Sequence, residues 1–428
     1  MTTAVIDYFR SILDKLAVLA KSKKTIRIVG LLAICIYSIW GVLRLLPPQS
    51  TLIQNGHPLY TQDSYNSWSF YHSNYSDILS LWAGRHLFLH QVPYIQNRIE
   101  YPVLMGITMW VTSYFSGPIL YFIANAVILS FCAAGTFLIL EKILGRYSLL
   151  FALSPLLYAY EFLNWDIISI FFMVLGFYFY RNEKWKAAGF WMSLAVFSKF
   201  FPIVLLFFLV IELWSKKETQ ALKSLSKYFV VTSLVINVPF LVANPYNWSY
   251  FFEYNFLRQG MSSVLDLFYY PNLNNSVSNS VFYALIDIVS YITVGASLYL
   301  LFRWSRRKYI TPVQASALCF TVIMLSNKVF SPHYMMWVLV FALLAELPPA
   351  LSWVLAGCGI LDYRAGWGVL YFASSPTNHA ALSYHDQAFS FYSKNIYTLG
   401  LDARYLALLA VFYYSAKQIK KLVPRFAR

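Results

Sequence analysis

Twelve apolar runs, each cut off by proline, glycine or a cluster of charge, divide this sequence: residues 26–46, 118–141, 147–160, 164–180, 187–199, 201–214, 227–244, 281–302, 312–326, 332–348, 350–373 and 398–417. Such runs decide the fold class before any motif is read. About 20 apolar residues cross a bilayer as a helix, and within lipid every backbone group must bond inside the protein, which leaves helices and closed barrels. With 59% hydrophobic and 12% charged residues and a mean hydropathy of +0.55, the chain has too little charge to cover a water-soluble surface. The expected fold is all-α, a polytopic transmembrane bundle of about 12 crossings, some short or broken, with juxtamembrane helices on its outer face. Residues 1–25 alternate charge and apolar positions as a cytoplasmic amphipathic surface segment does. No small-residue cleavage site follows the first long run, so the first span is expected to stay.

The formal charge of +15 does not imply nucleic acid, because in a membrane protein the placing of Lys and Arg matters more than their sum. Of the 33, 24 gather in the N-terminal segment, "EKILGR", "RNEKWK", "WSKKETQALKSLSK", "RWSRRK" and the tail after Tyr414. With these on the cytoplasmic side, both termini lie inside. The opposite, extracytoplasmic face receives residues 47–117, "YEFLNWD", "SKFFP", the 245–280 loop, "SNKVFSPH" and residues 374–397. The expected organisation is one transmembrane unit over 26–417, preceded by the amphipathic segment and followed by a basic tail, 418–428. Cys35, Cys132, Cys319 and Cys358 lie inside apolar runs without CxxC or His at ligand spacing, so neither a metal site nor a loop disulfide is indicated.

This orientation leaves residues 101–116, "YPVLMGITMWVTSYFS", as a juxtamembrane or re-entrant element, since a crossing there would reverse every later loop. Runs 147–160 and 187–199 are shorter than a bilayer requires. Their ends must stop below the surface, and backbone at that depth has to line protein or a water-filled cavity. A sunken outer face follows, with Asp166 and Lys199 at its deep ends. Ionisable groups in such places are costly and point to function. On the outer side they are Asp63, Asp77, Arg85, Arg98, Glu100, Asp166, Lys199, Arg258 and Lys328, with His333 nearby.

In their order, "SD", "PY" and "EYP" in the first outer loop, then "NWD", "FSKFFP" and "NKVFSPHYMMW", these segments resemble the GT-C superfamily of membrane glycosyltransferases. The resemblance runs over most of residues 26–345. It is nearest to the bacterial polyprenol-phosphate-mannose-dependent mannosyltransferases, with a fainter likeness to the enzyme that adds the first mannose to GPI anchors. It implies an inverting hexosyltransferase of the bacterial cytoplasmic membrane. The enzyme would move mannose from a polyprenyl-phosphate donor to a glycolipid or cell-envelope glycan acceptor, with no cofactor or metal and no nucleic-acid partner. The motif also implies that Asp77 is the catalytic carboxylate. Where many relatives pair two acids, this chain has "SDIL", with Asp63 fourteen positions earlier.

That chemistry suits the residues. One carboxylate accepts the acceptor hydroxyl proton, while cations hold the departing phosphate of an oxocarbenium-like reaction. Lys328, His333, Lys199 and Arg98 are the phosphate candidates. Glu100, Tyr101, Tyr94 and Asp166 are those for sugar and acceptor. Each has a plainer use as well: Asp77 behind Ser76 as a helix-start acid, the lysines as snorkelling groups, the tyrosines as an interfacial belt. The aromatic 245–280 loop would cap the cavity, guide a lipid carrier, or lie as an interfacial helix. Sequons at Asn74, Asn247 and Asn274 fall on the outer side, one of them crowding Asp77, which favours a bacterial source. A secondary transporter or lipid flippase is the alternative. Transporters, however, show internal repeats and a midplane site, whereas here the ionisable groups collect at one face. An accessory subunit fits less well with the long outer loop.

Overall fold

The computed structural model describes residues 22–258, 279–374 and 392–422. Several expectations fall outside them. These are the amphipathic segment up to residue 21, the 245–280 loop from 259 to 278 with its Asn274 sequon, the 374–397 loop from 375 to 391, and the tail from 423.

The described residues form a helical bundle: α1 (Lys23–Leu45), α2 (Asp63–His72), α3 (Asp77–Gly84), α4 (Val103–Ser113), α5 (Gly117–Leu144), α6 (Leu149–Ala152), α7 (Pro155–Tyr160), α8 (Asp166–Arg181), α9 (Trp185–Ser198), α10 (Ile203–Ser215), α11 (Thr219–Ala243), α12 (Pro245–Leu257), α13 (Asn279–Arg306), α14 (Pro312–Ser326), α15 (Tyr334–Leu344), α16 (Pro349–Ser374) and α17 (Thr398–Leu422). The one sheet among them is a hairpin, Ile53–Gln54 against His57–Pro58. Its turn is Asn55-Gly56, both at positive φ (51° and 79°), the backbone twist that a two-residue hairpin needs.

Among the described residues, five helical segments are long and apolar enough to cross a membrane: Lys23–Leu45, Gly117–Ala152, Thr219–Ala243, Asp287–Arg306 and Asn395–Ile419. The 147–160 run is not the single span expected from the sequence. It breaks between α6 and α7, where Ser154 caps α7 (Leu156 N–H to Oγ, 3.3 Å) and Pro155 can neither donate nor sit inside a continuing helix. Helix α4, over residues expected not to cross, has 11 residues. At about 1.5 Å per residue it is about 16 Å long, against about 30 Å of hydrocarbon.

Burial separates lipid-facing from central helices. In α1 only Ile26, Gly30, Ile34, Ser38, Gly41 and Leu45 are buried, a stripe at helical spacing. Added Cβ atoms at Gly30 and Gly41 would run into the rings of Phe137 and Phe162, so glycine there sets how closely α1 approaches. Helix α15, by contrast, is buried at every position from Tyr334 to Leu344. A helix apolar all round belongs in the centre. Here it reaches only 11 residues, and the chain before it, 327–333, is non-helical. The short helices α8, α9 and α15 place one end each around that segment.

Candidate active site

The turn between α7 and α8, residues 161–165, is where the first loop docks. Ser76 caps α3 by accepting the Ile78 N–H (3.3 Å), and its hydroxyl donates to the Phe162 carbonyl (2.6 Å). The Asp77 N–H donates to the Leu163 carbonyl (2.7 Å), and the Ser76 N–H to the Tyr65 hydroxyl (3.0 Å). Two successive residues are thus pinned by their backbones, and the first side chain of α3, Asp77, is aimed by that docking.

The Asp77 carboxylate accepts from the hydroxyls of Tyr101 (3.1 Å) and Tyr75. It is half-buried, which leaves a path for a reactant. Burial pushes its carboxyl above the usual carboxylate range, opposed by the two tyrosine hydroxyls and by the nearby Lys199 ammonium. Tyr101 also links the acid to the cation, for the Lys199 ammonium lies 5.4 Å from the centre of its ring and 5.3 Å from that of Tyr334.

Lys199 ends α9, and its ammonium pairs with Asp166 Oδ1 at 2.7 Å. Asp166 opens α8, where the helix dipole favours a carboxylate. Its second oxygen accepts from Trp337 Nε1 (2.9 Å) and lies 3.5 Å from His333 Nε2. The ring state of His333 follows from its neighbour. Asn164 Oδ1 accepts the Asp166 N–H (2.9 Å), which leaves its amide nitrogen to face His333 Nε2 at 2.8 Å. An NH2 group has only protons to offer, so Nε2 accepts and the imidazole is neutral, with its proton on Nδ1.

The structure therefore brings five of the sequence candidates into one chain of contacts: Asp77, Tyr101, Lys199, Asp166 and His333. Glu100 stands close enough to act on the Asp77 charge and is held by Arg85 at 2.8 Å. Arg98 lies over the rings of Tyr246 (4.0 Å) and Tyr250 (5.6 Å) on α12, and Arg85 shares Tyr250 at 5.9 Å. Tyr94 is fully buried, and its hydroxyl lies 2.8 and 2.9 Å from the carbonyls of Tyr101 and Pro102, holding the backbone that presents Tyr101. Lys328 does not join the cluster. Among the described residues it bonds Asp287 Oδ2 (2.8 Å) and the Phe256 carbonyl (2.9 Å), tying the end of α12 to α13. Lys328 and His333, five apart, are turned to different partners.

Beside Tyr101 lies a small, open-sided aromatic pocket. Tyr94, Tyr101, Phe197 and Phe200 form one side, and Trp248, Phe251 and Phe252 of α12 the other. Among the described residues, no group of three or more His, Cys, Asp or Glu side chains is disposed to hold a metal ion. Sequence reading passed over Tyr75, which immediately precedes "SDIL", and Asn164 and Trp337, which stand inside "NWD" and "NKVFSPHYMMW".

No curated protein matches the chain. Among solved structures, ArnT from Cupriavidus metallidurans in the apo state is similar at 16% identity. The alignment covers 93% of this chain and 78% of that one, with a TM-score of 0.42. The sequence model of glycosyltransferase family 87 matches residues 100–332, more than half of the chain, and that range holds Glu100, Tyr101, Asp166, Lys199 and Lys328. The chain belongs to glycosyltransferase family 87, and is a membrane glycosyltransferase, the class that its loop motifs resemble.

Proposed function

We propose that this transferase inverts the anomeric centre of a hexose, mannose, as it moves from a polyprenyl-phosphate carrier to a lipid-linked or cell-envelope glycan acceptor. The proposed setting is the extracytoplasmic face of a bacterial cytoplasmic membrane. The observation that carries the reading is one tyrosine with two neighbours: Tyr101 donates to Asp77 and lies beneath Lys199. A base and a cation thus flank a single aromatic ring next to an apolar pocket.

In the proposed reaction the acceptor hydroxyl attacks the sugar C1 while Asp77 takes its proton. The bond from C1 to the phosphate oxygen breaks, and its electron pair leaves with the polyprenyl phosphate. Lys199 serves the departing phosphate. Its bond to Asp166 keeps it charged in a partly buried place and fixes its direction, and Asp166 is itself held by Trp337. The neutral His333 is not a phosphate cation in this scheme; through Asn164 it orders the turn that presents Asp166. The aromatic side chains of α12 beside Tyr101 offer an apolar surface against which the first isoprene units of a carrier would lie, and Arg98, stacked on α12, stands by as a second anion ligand at its edge.

Purified protein supplied with polyprenyl-phosphate mannose and a membrane glycolipid extract tests this. Transfer is expected from wild type. Asp77→Asn, which keeps the shape, is expected to lose about 10² to 10⁴-fold in kcat. A folded Asp77→Asn variant with normal turnover removes Asp77 as the base, and a wild type that uses only a nucleotide-linked sugar removes the donor.

A further inference from the structure

Helices α16 and α17 lie outside residues 100–332, yet they bring a buried ion pair against the segment that carries His333. Asp362 and Arg404 are 1% and 0% exposed, with Arg404 Nη1 donating to Asp362 Oδ2 at 2.9 Å. The same nitrogen is 3.0 Å from the Phe330 carbonyl, and the guanidinium lies 4.2 Å from the centre of the Phe330 ring. A buried charge pair is a poor way to gain stability, since desolvating both groups offsets most of their attraction. Its placement therefore has to be judged by what else it holds.

What it holds is irregular backbone. Residues 327–333 are non-helical between α14 and α15, and a carbonyl at such depth needs a donor from the protein. Arg404 supplies one to Phe330. Two lines of contact then run from the pair to the site. Phe330 stacks toward Tyr334 (6.3 Å), whose ring lies under Lys199. On the other side Tyr363, next to Asp362, meets Tyr160 edge-on (5.4 Å), and Tyr160 meets the His333 ring (6.5 Å), its hydroxyl donating to Gly359 O at 3.1 Å.

The geometry points to Arg404 as a positioning residue for glycosyl transfer: by gripping the Phe330 carbonyl against Asp362, it sets His333 against Asn164 and Tyr334 beneath Lys199. Only the activity arm of its test rests on the proposed function. Arg404→Lys keeps a charge opposite Asp362 but replaces the planar fork with a point donor on a shorter reach. This variant is expected to fold and to keep the KM for polyprenyl-phosphate mannose, with kcat down by about 100-fold, the scale of a misplaced reacting group. The ring-nitrogen NMR signal of His333, assigned by its loss in His333→Gln, is expected to move away from the Nδ1-protonated form. A purely structural role predicts less folded protein, with kcat per folded molecule and the His333 signal unchanged. That result overturns the assignment. If Arg404→Lys does not fold, the double variant Arg404→Met with Asp362→Leu, which leaves no buried charge behind, decides by the same two readings. Failure of both variants to fold makes the pair a folding element and likewise overturns it. Because the histidine signal is read without substrate, an inactive wild type removes the proposed donor and leaves this inference still testable.

Discussion

Burial sets the direction in which Asp77 titrates, and two hydroxyls work against it. Its pKa is raised because burial outweighs the help of Tyr75, Tyr101 and Lys199, so a base reaction should fail on the acid side at a pH above the usual carboxylate value of about 3.9. Tyr101→Phe takes away one donor that favours the charged form. The acid limb of kcat/KM is then expected to move to higher pH; a limb that stays or moves down denies the hydrogen bond any part in tuning the acid. The sign for stability runs the other way. With the folded pKa above the unfolded one, Asp77 favours the folded state below its unfolded pKa and loses that contribution as pH rises through the folded value. Tyr101→Phe should therefore widen the loss of stability near neutral pH, readable as a lower melting temperature at pH 7 than at pH 5. The sequence made Asp77, Lys199 and Asp166 legible because charge is scarce in this chain and each stands at a helix end. The sequence does not say that Lys328 turns away from His333, since spacing along a non-helical segment leaves side-chain direction open. The backbone bond from Arg404 decides part of that, and its partner lies 74 positions away.

Among elements, the long apolar helices could be read from hydropathy, because twenty or more apolar residues have one cheap conformation in lipid. The break at Ser154-Pro155 was also written in the sequence, yet a run of 14 apolar residues looks continuous unless the proline is given its full steric weight. How closely helices approach was not legible. Helices α9 and α11 are close neighbours at Gly189, where an added Cβ would run into the Leu225 carbonyl and lie 3.0 Å from the Phe229 nitrogen. Backbone cannot step aside as a flexible side chain can. Gly189→Ala is expected to cost about 1–3 kcal/mol by overpacking, and to loosen Lys199 at the end of the same helix. Gly295→Ala on α13, with nothing within 4 Å of the new methyl, serves as its control. That change should be neutral or stabilising by up to about 1 kcal/mol, as alanine replaces glycine inside a helix. Thermal unfolding of both variants in one detergent tests the contrast, and equal melting temperatures would dismiss close approach as a constraint on α9.

For the whole molecule, the distribution of charge and the position of the site point the same way. Basic residues gather at turns such as 215–219 and 306–311, at the C-terminal ends of α10 and α13. Asp77 and Asp166 open short helices and Lys199 closes one, with Glu100 in the loop before α4. If Lys and Arg hold their loops in the cytoplasm, the sugar is handled on the far side, and the donor must already have been carried across. Single cysteines test this in a background with Cys35 and Cys358 replaced by serine, since Cys35 is exposed and Cys358 half-buried while Cys132 and Cys319 are buried. Gln54→Cys in the hairpin and Lys217→Cys between α10 and α11 both expose their side chains. In right-side-out vesicles a membrane-impermeant maleimide is expected to label Gln54→Cys and to spare Lys217→Cys until the membrane is opened. The reverse pattern would place Asp77 and Lys199 in the cytoplasm, where nucleotide-linked sugars are available. The reading of a lipid-carried donor would then lose its physical reason, because a transferase needs a polyprenyl carrier only where soluble activated sugar cannot reach.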